Sequence, residues 1–337
     1  MKIELLFIIT NIHYQEYMAS ITNTVSVNVL ASAAKKVDKG SINYFKKTFG
    51  GGRGKNDVAN KVRENIIVMM LNKETPKEYL LHDPFWCLVA DKVQICVDEM
   101  LTISGIDPEM VKYKKAAGRG KHHDFEAVDV ASNVLMKIEF KYGATQIVEA
   151  PQFVSPMKPS QYMSGSFEEF FYDTGLPTII ADTEFEIPDK DVWLAQLHGN
   201  KPQCMKMIQD KYYAGCKASS QFTGDASDIL FYEKCKVVSN NVIIAFLSRD
   251  DVSLCVDILS GYFIQTQEKV YLMYKDGEFT HQRINPEEFV IDTCIKHPQK
   301  HRFVVTTKTG RTINILLRWK NGNGIAFPAF QISLVNR

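Results

Sequence analysis

The sequence predicts an α/β protein with a helical, basic N-terminal arm and a β-rich C-terminal region. Apolar residues recur close to every 3.6 positions within 57–71, which is typical of an amphipathic helix. Two strand-like runs, DFEAVDV from Asp124 and VLMKIEFKY ending at Tyr142, flank three small or polar residues and predict a hairpin. Strand-like runs joined by Asp-Gly and Thr-Gly turns then dominate the end of the chain.

Further elements are predicted in chain order. A second helix begins with Asp83 as N-cap and Pro84 at the first helical position, and it ends before Gly105. Shorter helices are predicted after the hairpin, and strands are predicted after those helices. The predicted helices are 167–173, 189–198 and 202–214, and the predicted strands are 241–247, 270–274, 302–307 and 312–319.

The charge of the chain is balanced overall but polarised locally. Its formal net charge is +1, from 40 Lys and Arg against 39 Asp and Glu, so the total does not indicate a polyanionic partner. Residues 35–63 contain nine basic residues, residues 112–123 contain five with no acid, and residues 293–337 contain eight with no acid. Such segments suit a surface that binds a nucleic-acid backbone.

Cysteine usage and the N-terminus indicate the compartment. The seven cysteines are scattered without a CxxC pair, which argues against a zinc finger or a disulfide framework and favours a reducing environment. Glu4 interrupts the leading apolar run, so residues 1–17 are expected to be a disordered or mis-annotated leader, with Met18 as an alternative start. No apolar run is long enough to cross a bilayer. We therefore expect an intracellular protein, in the cytoplasm or nucleus of a host cell, that is not secreted and has no membrane partner.

The predicted hairpin brings charged residues together at its open end. With the turn midway between the two runs, Asp124 lies opposite Glu139. Because side chains alternate along a strand, Glu139 shares a face with Lys141. Asp129 is the rival acid, but this register places it near the turn, roughly 16 Å from the open end. A register slip would exchange the two acids, so Asp129 stays an alternative to Asp124.

These residue types suit phosphodiester hydrolysis. Paired carboxylates are natural oxygen ligands for Mg²⁺, so Asp124 and Glu139 would supply two ligands and the backbone carbonyl of Phe140 a third. Lys141 would orient the attacking water, lower its pKa or stabilise charge on the phosphate. An ExK triplet on a strand is more often part of a solvated face. Here the preceding Asp, the basic segment 112–123 and the acid-free C-terminus favour the catalytic interpretation.

Asp124 followed by Glu139-Phe140-Lys141 resembles the motif of the PD-(D/E)xK nuclease superfamily, in particular type II restriction endonucleases. The chain also resembles restriction-type nucleases encoded by large DNA viruses. It departs from the motif in having His123, and not proline, before the first acid. The resemblance implies a restriction-endonuclease-like core, in which a mixed central sheet is flanked by helices, the two acids bind Mg²⁺ and the lysine serves the attacking water.

The resemblance further implies an acid on the helix before the first core strand that joins the metal site. In this chain that acid is Glu64 or, less favoured, Glu99. The alternative for Glu64 is a helix-surface residue paired with Lys61 or Arg63.

A DNA-binding surface is also implied, formed by basic and polar residues near the motif and in the basic segments. The candidates are Arg53, Lys55, Arg119, Lys121, Gln152, Arg318 and Lys320. The glycine-rich segment 50–56, which holds the first two, is either a flexible linker or a clamp on the DNA backbone.

We therefore expect a Mg²⁺-dependent, site-specific endodeoxyribonuclease that cuts double-stranded DNA. Cutting both strands calls for two sites related by a two-fold axis, so a homodimer is expected, and a cognate DNA methyltransferase acting on the same site is a further expected partner. Residues 18–337 would form a single nuclease domain, with a catalytic core at about 57–200 and a β-rich DNA-recognition region at about 225–337. The alternatives are a structure-specific repair or recombination nuclease of the same fold, and a DNA-binding protein without catalysis.

Overall fold

The computed structural model describes residues 37–46, 53–116, 121–150, 159–197, 206–217, 219, 221–319 and 328–335. The helices in these ranges are α1 (Asn43–Lys46), α2 (Arg53–Leu71), α3 (Lys77–His82), α4 (Phe85–Ile103), α5 (Phe167–Thr174), α6 (Leu176–Ile180), α7 (Lys190–Leu197), α8 (Lys206–Gly215), α9 (Ala226–Leu247) and α10 (Val256–Gln267). The strands are β1 (Lys112–Lys115), β2 (Phe125–Val128), β3 (Val134–Tyr142), β4 (Val270–Lys275), β5 (Glu278–Arg283), β6 (Ile291–His297), β7 (Arg302–Thr307), β8 (Thr312–Trp319) and β9 (Pro328–Leu334).

The described strands form two sheets. The first has the order β1-β2-β3-β4-β5, in which β3 and β4 are parallel and the other neighbouring pairs are antiparallel. A parallel pair needs a long crossover, and the segment that carries α5 to α10 supplies it. The second sheet is an antiparallel meander in the order β6-β7-β8-β9. The predicted combination of helices with a mixed central sheet is therefore confirmed.

The predicted hairpin is confirmed as β2 and β3. Phe125 pairs with Ile138. In the predicted register this pair is the next one along from Asp124 and Glu139. The observed register at the open end is therefore the predicted one. A bulge near the turn shifts the pairing by one residue. The turn therefore absorbs the irregularity, and the charged end of the hairpin keeps its alignment.

One face of the first sheet packs against the N-terminal helices. Phe125, Ile138 and Leu272 point to this side and are fully buried, together with Trp86 of α4 and Ile66 of α2. Helix α2 is thus amphipathic, as its pattern predicted, and it covers the sheet with its apolar side.

The opposite face of the sheet holds both apolar and charged residues. Tyr271 and Met273 of β4 join a second core with α5, α9, α10 and the second sheet. Glu139 pairs in register with Tyr271, and Lys141 pairs with Met273, so the two charged side chains lie on this same face. Glu139 and Lys141 therefore lie on the face opposite the core formed with α4, at the edge of the second core.

The predicted helices are confirmed with small shifts of their ends. The helix predicted at 57–71 begins earlier, at Arg53, so part of the predicted glycine-rich linker is helical. The Asp83 carboxylate accepts the N–H of Phe85 at 3.0 Å, as expected of a residue that starts α4. The predicted helices at 167–173, 189–198 and 202–214 correspond to α5, α7 and α8 within the described ranges.

The strand predicted at 241–247 is wrong, because these residues complete the 22-residue helix α9. Asp225 caps this helix by accepting the N–H groups of Ser227 and Asp228. A short apolar run does not by itself distinguish a buried strand from a buried helix, and here the cap and the length of α9 decide. Helices α9 and α10 therefore occupy 226–247 and 256–267, at the start of the region expected to be β-rich.

The later strand predictions are confirmed as β4, β7 and β8. Asp276 and Gly277 have φ of 51° and 89°, which closes the tight β4–β5 turn predicted from the Asp-Gly pair. Among the helices that the structure describes, none is both long and apolar enough to cross a membrane.

Candidate active site

Asp124 stands directly before β2 and is tied to the backbone of β3. Its N–H donates to the carbonyl of Ile138 at 2.9 Å, and its Oδ2 accepts the N–H of Phe140 at 2.8 Å. These hydrogen bonds, to the residues on either side of Glu139, place Asp124 beside Glu139 as predicted. Because the N–H and C=O of a strand residue point to the same side, the Phe140 carbonyl is also directed toward Asp124.

Glu139 lies between two lysines. The ammonium group of Lys141 contacts Oε1 of Glu139, and the ammonium group of Lys269 contacts Oε2. Although burial raises the pKa of Glu139, its ion pairs with Lys141 and Lys269 hold that pKa below its usual value. Glu139 is therefore an ionised carboxylate at the centre of the site.

Lys269 was missed by the reasoning from sequence. It precedes β4, and the parallel pairing of β4 with β3 brings it next to Glu139 from a distant part of the chain. Only 7% of its surface is exposed, and its Nζ also donates to the carbonyl of His122 at 2.6 Å. A lysine directly before the apolar run 270–274 was the available signal, since lysine is rarely buried without a partner.

Glu64 on α2 is the acid from the preceding helix. Its side chain is buried, its Oε2 accepts no hydrogen bond from the described part of the chain, and Lys115 Nζ lies 3.9 Å from that oxygen. Burial and the neighbouring Asp124 raise the pKa of Glu64 to about 8. The less favoured candidate, Glu99, lies elsewhere on α4, with its Oε2 3.9 Å from His281.

The two acids near Glu139 both have raised pKa values. Burial and the charge of Glu139 raise the pKa of Asp124 to about 6, while Glu64 is shifted further in the same direction. Carboxylates that raise each other's pKa by burial and repulsion are stabilised in their charged form by a cation.

Asp129, the rival acid, lies at the other end of the hairpin. Its carboxylate accepts the backbone N–H of Asn133 at 2.8 Å and the side-chain amide of Asn133 at 2.7 Å. These hydrogen bonds lower the pKa of Asp129. Asp129 thus stabilises the turn, and Asp124 is the aspartate that lies next to Glu139.

The described residues contain no group of three or more His, Cys, Asp or Glu side chains arranged to hold a metal ion. Alongside burial, the charge of Glu139 raises the pKa of both Asp124 and Glu64, so the three carboxylates lie near one another, and Asp124 and Glu139 are the pair that could hold a cation. This set fits Mg²⁺, which is commonly bound through one or two carboxylates while several waters complete its octahedron. A cation would also offset the burial of Oε2 of Glu64 and the raised pKa of Asp124.

The predicted DNA-binding residues are only partly described. Lys121 is half-exposed and lies 3.2 Å from Oε1 of Glu126 at the entrance to β2. Arg318 lies on β8, and Arg53 and Lys55 lie in the first turn of α2, but the side chains of all three lie outside the described part of the structure. Arg119, Gln152 and Lys320 also lie outside the described residues.

No protein-family model matches this chain, and neither a curated protein nor a solved structure matches it.

Proposed function

We propose that this protein is a Mg²⁺-dependent, site-specific endodeoxyribonuclease with a restriction-endonuclease-like core. The observation that carries the proposal is the convergence of Asp124, Glu139 and Lys141 at the open end of one hairpin. The same three residues form the motif that resembles the PD-(D/E)xK superfamily, and Glu64 lies where that resemblance expects a further acid.

The lysines and the carboxylates would have different roles in phosphodiester hydrolysis. Lys141 places an ammonium group beside Glu139, from which its N–H groups can orient a water against the phosphorus and donate to a charged phosphate oxygen. Asp124 and Glu139 would hold the metal, with the Phe140 carbonyl beside them. The bound Mg²⁺ would supply a Lewis acid that neutralises the charge developing on the phosphate and acidifies a bound water.

Lys269 is a positioning residue in this scheme. It fixes Oε2 of Glu139 and, through the carbonyl of His122, the chain that leads to Asp124. Since a misplaced ligand weakens both metal binding and the alignment of the reacting groups, outer partners of this kind commonly contribute 10–100-fold.

The first strand of the sheet offers a surface for the DNA backbone. Lys112, Lys114 and Lys115 of β1 are exposed, and Lys121 follows them at the entrance to β2. Lys115 also lies 3.9 Å from Glu64, so this surface adjoins the carboxylates. Lysines along one strand edge suit phosphates, while base contacts would determine the cleavage site.

The proposal is tested by incubating the purified protein with plasmid DNA and Mg²⁺, alongside Glu139→Ala and an EDTA control. We expect discrete fragments that disappear in the variant and in EDTA, with a loss of at least about 1000-fold in rate. Sequencing the fragment ends would then identify the recognition site.

The other outcomes separate the alternatives. Nicking that follows DNA structure and not sequence would indicate a repair or recombination nuclease of the same fold. DNA binding with no Mg²⁺-dependent cleavage by the intact protein would defeat the nuclease proposal. The largely buried ion pairs of Lys141 and Lys269 with Glu139 would then have a structural role only.

A further inference from the structure

The last strand of the first sheet, β5, has a free edge. In the part of the chain that the structure describes, the sheet order ends at β5 and no further strand pairs with it. An edge strand presents unpaired N–H and C=O groups to other chains unless something blocks them. The opposite edge, β1, carries three exposed lysines that disfavour pairing with a copy of itself, whereas β5 carries Glu278 and Arg283 at its two ends.

Helix α4 lies beside β5 and has an exposed apolar stripe. Leu88, Ile95 and Ile103 are 46%, 68% and 70% exposed. At 3.6 residues per turn the three side chains lie within about 80° of one another around the helix. Lys92 and Glu99 lie on the same stripe. The stripe thus alternates apolar and charged side chains, a mixture that is common in interfaces between protein subunits.

The helix stripe and the strand edge meet in one groove. The groove has a volume of about 450 Å³ and is lined by Ile95 and Cys96 of α4 and by Thr280 and His281 of β5. Lys92 spans one end of it, where its Nζ donates to the carbonyl of Gly277 at 2.9 Å. A partner that approached the edge of β5 would therefore also contact the stripe of α4.

The stripe is complementary to itself. When two copies of α4 lie antiparallel about a point between Ile95 and Cys96, Leu88 of each copy faces Ile103 of the other. Lys92, which already contacts Glu278 of its own chain, then faces Glu99 of the other copy, so apolar and opposite-charge pairs would both be possible across the axis. A symmetric dimer requires a surface that matches itself in this way.

The strand edge satisfies the same symmetry. A two-fold axis perpendicular to a sheet pairs residues that lie on the same face, and a centre at Thr280 places Phe279 opposite His281 of the other copy. Adjacent strands lie about 4.8 Å apart and packed helices about 8–10 Å apart. The centres of the strand and of the helix line the same groove, so one axis can pass close to both.

We propose that α4 and β5 form the two-fold interface of a homodimer, in which the two five-stranded sheets join through their β5 edges and the two α4 helices pack across the axis. The inference rests on this surface alone and does not require nuclease activity. It names the contact through which the second copy binds.

The first test measures oligomeric state by light scattering coupled to gel filtration over a range of protein concentrations. We expect a dimer that Ile95→Glu weakens by at least about 100-fold in Kd, since a charge would enter the centre of the contact twice. Ile258→Glu on α10 is the matched control, because Ile258 is also an exposed isoleucine on a helix, at 58%. The control is expected to leave the dimer intact.

The second test is a crosslink that does not depend on weakening the dimer. Ile95→Cys, in a background where the exposed Cys87 and Cys294 are serine, places two thiols next to the axis, within reach of a disulfide. We expect an oxidised dimer on a non-reducing gel, and none from Ile258→Cys. A monomer at all concentrations, a dimer that persists in Ile95→Glu, or no crosslink through Ile95→Cys would each overturn the proposed interface. DNA cleavage, measured separately, bears on the proposed activity and not on this contact.

Discussion

The two ends of the β2–β3 hairpin use the same residue type in opposite ways. At the open end, Asp124 is held against β3, and burial beside Glu139 raises its pKa to about 6. At the turn, Asp129 accepts two hydrogen bonds from Asn133, which lower its pKa. The fold therefore disfavours the ionised form of Asp124 and favours the ionised form of Asp129.

The difference comes from neighbours that arrive from outside the hairpin. Glu64 from α2 and Lys269 from the start of β4 surround the open end, whereas the hydrogen bonds of Asp129 come from within its own turn. The same strand pair thus has one locally determined end and one end whose chemistry depends on the tertiary structure.

The largest expected effect separates the two aspartates directly. Asp124→Asn removes the charge of a proposed metal ligand while keeping the shape of the side chain, so under the proposed function we expect a loss of at least about 1000-fold in DNA cleavage rate. Asp129→Asn should change the rate by less than about threefold, because that carboxylate lies outside the site. Initial rates on plasmid DNA at fixed Mg²⁺ measure both. Equal losses in the two variants would show that the hairpin acts as a scaffold only.

The next effect distinguishes the two lysines that contact Glu139. Lys141→Met should lower kcat by about 100-fold or more, with little change in the Mg²⁺ concentration needed for half-maximal rate. Lys269→Met should lower the rate by about 10–100-fold and raise that Mg²⁺ concentration, since Lys269 positions the ligand. Lys269→Arg is expected to restore part of the loss. If both methionine variants changed kcat alone, Lys269 would be a direct participant and not a positioning residue.

A smaller effect concerns stability and pH in the metal-free protein. In the folded chain Glu64 keeps its proton to about pH 8, whereas the ordinary value is 4.5. The folded state then binds more protons than the unfolded state, so the free energy of unfolding falls as pH rises through this window. We expect Glu64→Gln to reduce the decline of Tm between pH 5 and 8 by a few degrees.

Asp129→Asn is the control, because the pKa of Asp129 is shifted in the opposite direction to that of Glu64. Because the folded-state pKa of Asp129 is lowered, its contribution is present at neutral pH and is lost as pH falls through that pKa. Its removal should leave the slope between pH 5 and 8 unchanged. A Tm decline in Glu64→Gln as steep as in the parent protein would contradict the raised pKa of Glu64.

The smallest effect lies in the turn itself. Ser132 has φ of 70°, a conformation that glycine adopts without steric cost. Ser132→Gly is expected to stabilise the protein by about 0.5 kcal/mol. This net value already includes two opposing effects, the loss of the hydrogen bond from Lys114 and the greater freedom of glycine in the unfolded chain. Urea denaturation measures this change, and cleavage should be unaffected. Destabilisation would indicate that the Lys114 contact matters more than the backbone strain.

Local pattern was sufficient for much of the fold. The hydrogen bond from Phe85 to Asp83 at the start of α4, the Asp276-Gly277 turn and the alternation in β3 each depend on residues a few positions apart, and the structure contains all three, with α4 beginning one residue later than predicted. The strand prediction for 241–247 was wrong because the deciding signal is not local to that run. Its apolar residues suit either a strand or a helix, and the cap at Asp225, sixteen residues earlier, decides in favour of the helix.

The sequence by itself determined the hairpin register, and with it the approach of Asp124 to Glu139 and Lys141, because pairing across a short turn depends on alternation and turn position. Only the tertiary structure decided the surroundings of that triplet. Lys269 and Glu64 reach it through a parallel strand crossover and a packed helix. Contacts of that kind leave no local periodicity, since they depend on how whole elements pack and which charges they bury together.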